Sequence, residues 1–148
     1  MSAVVRDLSA AHAEVKAEIT RTDSKASLLL AFIGAVLAGV WSVGKDVPHT
    51  AFVLAPGLAG VAVLLGAAAL LLSSVRPNLS GRHGFPLWAT LTPEQIREAM
   101  AIDIAADIAG LSRIAVAKFT ALQRAIDLTR IGGALLIAAT VITLGGAA

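Results

Sequence analysis

Five basic side chains lie next to the ends of apolar segments, and their placement suits the binding of an anion. Arg21 and Lys25 are four residues apart, which puts them on one face of a helix. Arg76 and Arg82 follow the second apolar segment, and Arg130 precedes the third. Together these residues could hold a phosphate ligand or an anionic lipid headgroup. The same pattern is also produced by simple anchoring of helix ends at the cytoplasmic face of a membrane.

Asp23 stands among these cations, where a polar helix runs into apolar sequence. A carboxylate at a membrane edge costs free energy unless it is paired, so we expect a cationic partner such as Arg76 or Arg130. That pair is either structural or a switch that a ligand releases. Gly34 and Pro77 are the other candidate structural residues, since Gly34 permits close helix contact and Pro77 discourages continuation of the second helix.

Catalytic and metal-binding patterns are not found in the sequence. His12, His49 and His83 lack metal-ligand spacing, and no nucleophile elbow, P-loop or HExxH sequence is present. Asp103 and Asp107 share a helix face, which more often indicates a solvated surface than paired catalytic carboxylates. We therefore expect no enzyme activity, no metal and no resident cofactor.

The composition indicates a membrane protein of one domain. Hydrophobic residues make up 57% of the 148 residues and charged residues 15%, whereas soluble domains have ~45–50% and ~25%. The net charge of +2 is too small to suggest nucleic acid as a partner. Because a long polar helix precedes the first apolar run, we interpret that run as a retained span and not as a signal peptide.

Apolar runs predict three membrane spans, at residues 26–44, 51–75 and 131–148. An amphipathic helix over residues 1–25 leads into the first span without a Pro or Gly. Residues 76–130 form a cytoplasmic loop and a second amphipathic helix, which begins at the capping sequence Thr92-Pro-Glu-Gln95 and continues into the third span. Gly132-Gly133 is a possible hinge in that helix. The predicted fold is thus an all-α membrane protein with long cytoplasmic helices continuous with the first and third spans.

The orientation follows from the lysines and arginines. Four precede the first span, seven lie between the second and third spans, and one lies in the hairpin at Lys45. Basic residues concentrate on the cytoplasmic side, so we expect a cytoplasmic N-terminus and an external C-terminus. The predicted spans carry no charge, which argues against an ion-coupled transporter.

The sequence resembles the Pycsar effector family of small membrane proteins, the PycTM type. The matching features run through the chain: Glu14 and Glu18, then Asp23-Ser-Lys25-Ala26, the apolar span with Gly34, Arg76-Pro77, and the long helix with Lys118 and Leu122. The sequence Asp-x-Lys-Ala at the start of a span is the most specific of these features.

The resemblance implies a bacterial antiphage effector of the inner membrane. It implies a partner cyclase that makes cyclic UMP or cyclic CMP, to which the effector responds by oligomerising or rearranging and by impairing the membrane. The lipid bilayer, further copies of the chain and that cyclic nucleotide are the expected partners. Two other functions fit the residues: a membrane-anchored scaffold that recruits a protein through its apolar stripe from Ile96 to Ile126, and a holin-like pore.

Overall fold

The computed structural model describes residues 3–45, 51–76, 89–96 and 104–145. Helix α1 comprises Ala3–Gly44, helix α2 comprises Ala51–Val75, and helix α3 comprises Ile104–Gly145. Each of the three is long and apolar enough to cross a membrane. The prediction of an all-α membrane protein with three such helices is confirmed. The hairpin tip, most of the loop at 78–91 and Pro77 lie outside the described residues.

The two long helices run without a break from charged into apolar sequence. Helix α1 is continuous through Asp23 and Lys25, as the absence of Pro and Gly before Phe32 predicts. Helix α3 is continuous through Gly132-Gly133, so the possible hinge is part of an unbroken helix in this structure. Each of these two helices therefore contains a charged segment and an apolar segment, which meet at the predicted membrane edge.

The predicted capping sequence is also present in the structure. The Gln95 amide donates to Thr92 Oγ1 at 3.4 Å, and the Thr92 amide donates to Gln95 Oε1 at 2.9 Å. The Ile96 amide donates to the Thr92 carbonyl at 2.9 Å, which closes the first helical turn. This reciprocal arrangement satisfies amides that have no partner within a helix. The predicted course of the helix over 97–103 lies outside the described residues.

One buried stripe follows helix α1 along most of its length, and we call it the α1 seam. Its members recur every seven residues in two series, and all are buried or half-buried. The series are Leu8, Val15, Thr22, Leu29 and Val36, and His12, Ile19, Ala26, Ile33 and Val40. This repeat is typical of helices that pack side by side over many turns. The α1 seam keeps its phase where the helix changes from amphipathic to apolar.

Helix α3 carries a matching stripe, the α3 seam. Its members are also buried or half-buried at seven-residue intervals. They are Ile108, Ala115, Leu122, Thr129, Leu136 and Thr143, and Leu111, Lys118, Ala125, Gly132 and Ala139. Lys118 is the charged member of this stripe, so its position demands a partner for the ammonium group.

The chain divides into two compact units. The first consists of Met1–Asp23 and Arg76–Phe119, and the second of Ser24–Val75 and Thr120–Ala148. The second unit has an apolar core to which all three helices contribute, with Ile33, Leu64 and Leu71 about 1% exposed. Small residues complete this core, Ala26, Ala67 and Ala125 among them. They allow the helices to approach closely, as expected where apolar lipid provides no hydrophobic drive for association.

Helices α2 and α3 pack antiparallel in the second unit through glycines. A Cβ atom placed on Gly132 would lie 2.8 Å from Leu64 Cγ, and one placed on Gly60 would lie 3.0 Å from both Leu136 Cγ and the Gly132 carbonyl oxygen. Gly57 faces Ala139 in the same way at 3.9 Å. Contacting positions thus advance along α2 by the same number of residues by which they recede along α3. These contacts define the antiparallel register of the two helices.

The remaining candidate glycines of the spans do not form such contacts within the described structure. Gly34, Gly39 and Gly66 face open space, because a methyl group added at any of them would meet no atom within 4 Å. Gly34, which could permit a close helix contact, makes none with the described residues. Sequence gives the size of a glycine but not the direction it faces.

Candidate functional site

Two side-chain contacts join helices α1 and α3 in the first unit, one between a lysine and a carboxylate and one between a histidine and a carboxylate. Lys118 Nζ donates to both carboxylate oxygens of Asp23, at 2.5 and 2.8 Å. Eleven residues towards the N-terminus of each helix, His12 Nε2 lies 3.2 Å from Asp107 Oδ2. Both pairs join residues 95 positions apart in the sequence, so the helices run parallel and in step. The spacing is three helical turns, about 16 Å.

The Asp23–Lys118 pair is partly withdrawn from water. The Lys118 side chain is 19% exposed and that of Asp23 is 38% exposed. Lys118 belongs to the α3 seam, so its aliphatic stem packs in the stripe while its ammonium group reaches the carboxylate of Asp23. Beside Asp23, the hydroxyl of the buried Thr22 donates to the Glu18 carbonyl at 2.8 Å and leaves no unsatisfied polar atom there.

In the first unit, these two contacts fix the position of α1 relative to α3 along the helix axes. A slide of either helix by one turn, about 5 Å, separates both pairs at once. Because an unpaired charge that is partly buried is costly, the register is held more firmly than an apolar seam alone would hold it. The pairs therefore define the register of α1 against α3 in the first unit.

The partner of Asp23 differs from the residues expected from the sequence. We expected a cation such as Arg76 or Arg130, and the structure shows Lys118 in this role. One feature of the sequence could have indicated this partner, because Lys118 interrupts an otherwise apolar series of α3 residues spaced seven apart. The expectation that Asp23 pairs with a cation is met, and this cation is Lys118, which the sequence reasoning did not name.

The five basic residues of the predicted anion site are distributed over both units. Arg21 in the first unit pairs with Glu18 of the same helix, and Arg76 is exposed. Lys25 in the second unit is exposed, and Arg130 Nη1 lies 3.9 Å from Asp127 Oδ1. Arg82 lies outside the described residues. An anion site formed by these residues stays a prediction.

Metal chemistry finds no support in the described part of the chain. Within residues 3–45, 51–76, 89–96 and 104–145, no three His, Asp or Glu side chains are grouped closely enough to hold an ion. The pairs described above are contacts between helices, and each joins a single carboxylate to one nitrogen-bearing side chain.

A comparison with protein families identifies the chain. The family model described as the Pycsar effector protein domain, PycTM, matches residues 7–145. The chain belongs to the Pycsar effector family. Neither a curated protein nor a solved structure matches its sequence. The match confirms the family to which Asp23-Ser-Lys25-Ala26 and the later features pointed.

Membership makes this Pycsar effector a membrane protein of antiphage defence. The family is one of membrane effectors and not a known class of enzymes. The matched range includes all four residues that pair between α1 and α3 in the first unit. These pairs are thus part of the family domain.

Proposed function

We propose that this Pycsar effector responds to cyclic UMP or cyclic CMP, made by a partner cyclase, and then impairs the bacterial inner membrane. In this proposal the first unit faces the cytoplasm with the N-terminus, and the C-terminus lies outside. Ligand binding alters the packing of α1 against α3, and the chain oligomerises or rearranges in the membrane.

The observation that supports this proposal is the continuity of α1 and α3. The helices that pair in the first unit through Asp23–Lys118 and His12–Asp107 are the same helices that contribute to the apolar core of the second unit. A ligand that favours another register of the pairs shifts the population of that state, by as much as it binds that state more tightly. Unbroken helices carry such a change along their length.

A bacterial strain that makes the effector tests the proposal. It should carry the partner cyclase either in active form or with its catalytic residues inactivated, and membrane potential is followed with a voltage-sensitive dye. We expect depolarisation only with the active cyclase. Depolarisation with the inactive cyclase as well as the active one would indicate a holin-like pore. A steady membrane potential with both cyclases would contradict membrane impairment.

A scaffold is the second candidate function, because apolar side chains of α3 are exposed in the first unit. Val116 is 65% exposed and Ile114 is 50% exposed. A protein partner could cover them. The double variant Ile114→Lys, Val116→Lys distinguishes the functions in the same strain. Preserved depolarisation in this variant would exclude these side chains as a docking surface that defence requires.

A further inference from the structure

Three charged residues of α3 lie in the second unit, on one side of the helix. Arg124, Asp127 and Arg130 follow one another at intervals of three residues, and all three are exposed. The side chain of Asp127 is 69% exposed and that of Arg130 is 79% exposed. We call this surface the ionic face of α3.

The packing of α2 shows how far along the apolar segments the ionic face reaches. Because Gly60 lies against Leu136 and Leu64 against Gly132, the antiparallel register places Arg130 level with Gly66. In the same register, Asp127 and Arg124 are level with Ala69 and Leu72. Helix α2 carries no charge from Ala51 to Val75. Arg130 therefore lies about 14 Å along α2 from the Val75 end of this run.

Helix α1 leads to the same conclusion. Asp23 and Lys118 are hydrogen-bonded, so α1 and α3 are level at that point. Beyond it, the charge-free run of α1 begins after three residues at Ala26, whereas that of α3 begins after thirteen residues at Ile131. The difference of ten residues corresponds to about 15 Å. Residues 26–44 of α1 are only just long enough for a ~30 Å hydrocarbon core, so the membrane boundary lies near Ala26.

The ionic face thus lies at the depth of the spans, although the sequence suggested that α3 enters the membrane at Ile131. A charge near the centre of a helix that crosses a bilayer costs ~2.5–3.5 kcal/mol on insertion scales. Such residues usually face a protein interior or a water-filled cavity. The 3.9 Å separation of Arg130 and Asp127 is too long for a strong hydrogen bond and leaves both groups in need of other contacts.

We propose that the ionic face of α3 lines a water-filled path between copies of this chain in the membrane. Asp127 of one copy meets Arg124 or Arg130 of the next, since the sequence of charges on this face is complementary to itself. This inference rests on the proposed function, because it names the route by which the membrane is impaired. Each copy contributes two cations and one anion, so the path favours the passage of anions.

Other exposed surfaces of the second unit suit lipid. Leu28 of α1 is 73% exposed, and Leu65 and Leu72 of α2 are 54% and 58% exposed. Leu65 is also level with the residue after Arg130 in the α2–α3 register. It therefore provides a control at nearly the same depth, on an apolar surface that suits lipid.

Single cysteines test the path, because the natural sequence contains no cysteine. We suggest Asp127→Cys, Arg130→Cys and the control Leu65→Cys in the full chain, in vesicles from cells with active cyclase. A charged, membrane-impermeant thiol reagent measures access to water, and oxidation to a disulfide measures contact between copies. We expect modification about tenfold faster or more at residues 127 and 130 than at residue 65. We also expect disulfide-linked dimers when the Asp127→Cys chain is made together with the Arg124→Cys or the Arg130→Cys chain, because Asp127 of one copy meets an arginine of the next.

Two results would overturn the path. Modification at residues 127 and 130 as slow as at residue 65 would place the ionic face in lipid. Fast modification without disulfide-linked dimers would show contact with water or lipid headgroups but not with a second copy. If either result accompanied cyclase-dependent depolarisation, the proposed function would stand and only the path would fall. A steady membrane potential with active cyclase would instead contradict the proposed function.

Discussion

At the scale of single residues, Lys118 fixes the register of α1 against α3, which the apolar seams alone do not fix. Apolar side chains in a seven-residue repeat tolerate a slide by one repeat, because similar residues then meet again. A lysine in the α3 seam that reaches one carboxylate, Asp23, removes that freedom. Polar residues at such positions specify register in coiled coils, usually at some cost in stability. The Asp23–Lys118 pair thus serves to select one arrangement of α1 against α3.

Replacement of either partner tests this role. We expect Lys118→Met or Asp23→Asn to lower the free energy of unfolding in detergent by about 1–2 kcal/mol. The effect is smaller than that expected for a fully buried ion pair, because Asp23 is partly exposed to solvent. The exchanged double variant Asp23→Lys, Lys118→Asp should recover part of that loss. Lys25→Met is the control, because Lys25 is an exposed cation of the same helix. Additive effects in the double-mutant cycle would contradict a direct pair.

Glycines determine how closely elements approach in the second unit. Gly60 and Gly132 lie at the contact of α2 and α3, and the neighbouring Gly133 faces open space. The register of this contact also sets the level of the ionic face against α2. Close packing and the placement of charge are therefore consequences of the same two residues.

A pair of alanine variants at adjacent positions tests the contact. Gly132→Ala places a methyl group 2.8 Å from Leu64 Cγ and 3.1 Å from the Gly60 carbonyl oxygen, so the Leu64 side chain or the helices themselves must shift. We expect it to be about 1–3 kcal/mol less stable than Gly133→Ala, as judged by thermal unfolding in detergent. Gly133→Ala meets no atom and improves helix propensity. Equal stabilities of the two variants would contradict the close approach.

The elements were largely predictable from sequence, whereas their register was not. The continuity of α1 and the hydrogen bonds of Thr92 and Gln95 depend on residues close together in the chain, and both predictions are confirmed. The partner of Asp23 and the depth of Arg130 depend on how separate helices slide along one another. A slide of a few residues changes both without altering any local pattern. Sequence therefore predicted that Asp23 is paired, but not with Lys118.

At the scale of the whole molecule, the distribution of charge predicts the orientation. Eleven of the twelve lysines and arginines lie before the first predicted span or between the second and third. With a cytoplasmic N-terminus, a cysteine at residue 6 should stay unmodified by an impermeant thiol reagent in intact spheroplasts, and a cysteine at residue 145 should react. Detergent should expose both. The opposite pattern of labelling would reverse the predicted topology.

Release of dye from liposomes that contain the purified effector tests the central claim most directly. Cyclic UMP, cyclic CMP, cyclic AMP or no nucleotide is added, and Lys118→Met serves as a variant in which the register of α1 and α3 is weakened. The account predicts that the unmodified chain releases dye with a cyclic pyrimidine nucleotide and stays closed with cyclic AMP or without ligand. Release without any nucleotide, or no release under every condition, would contradict it.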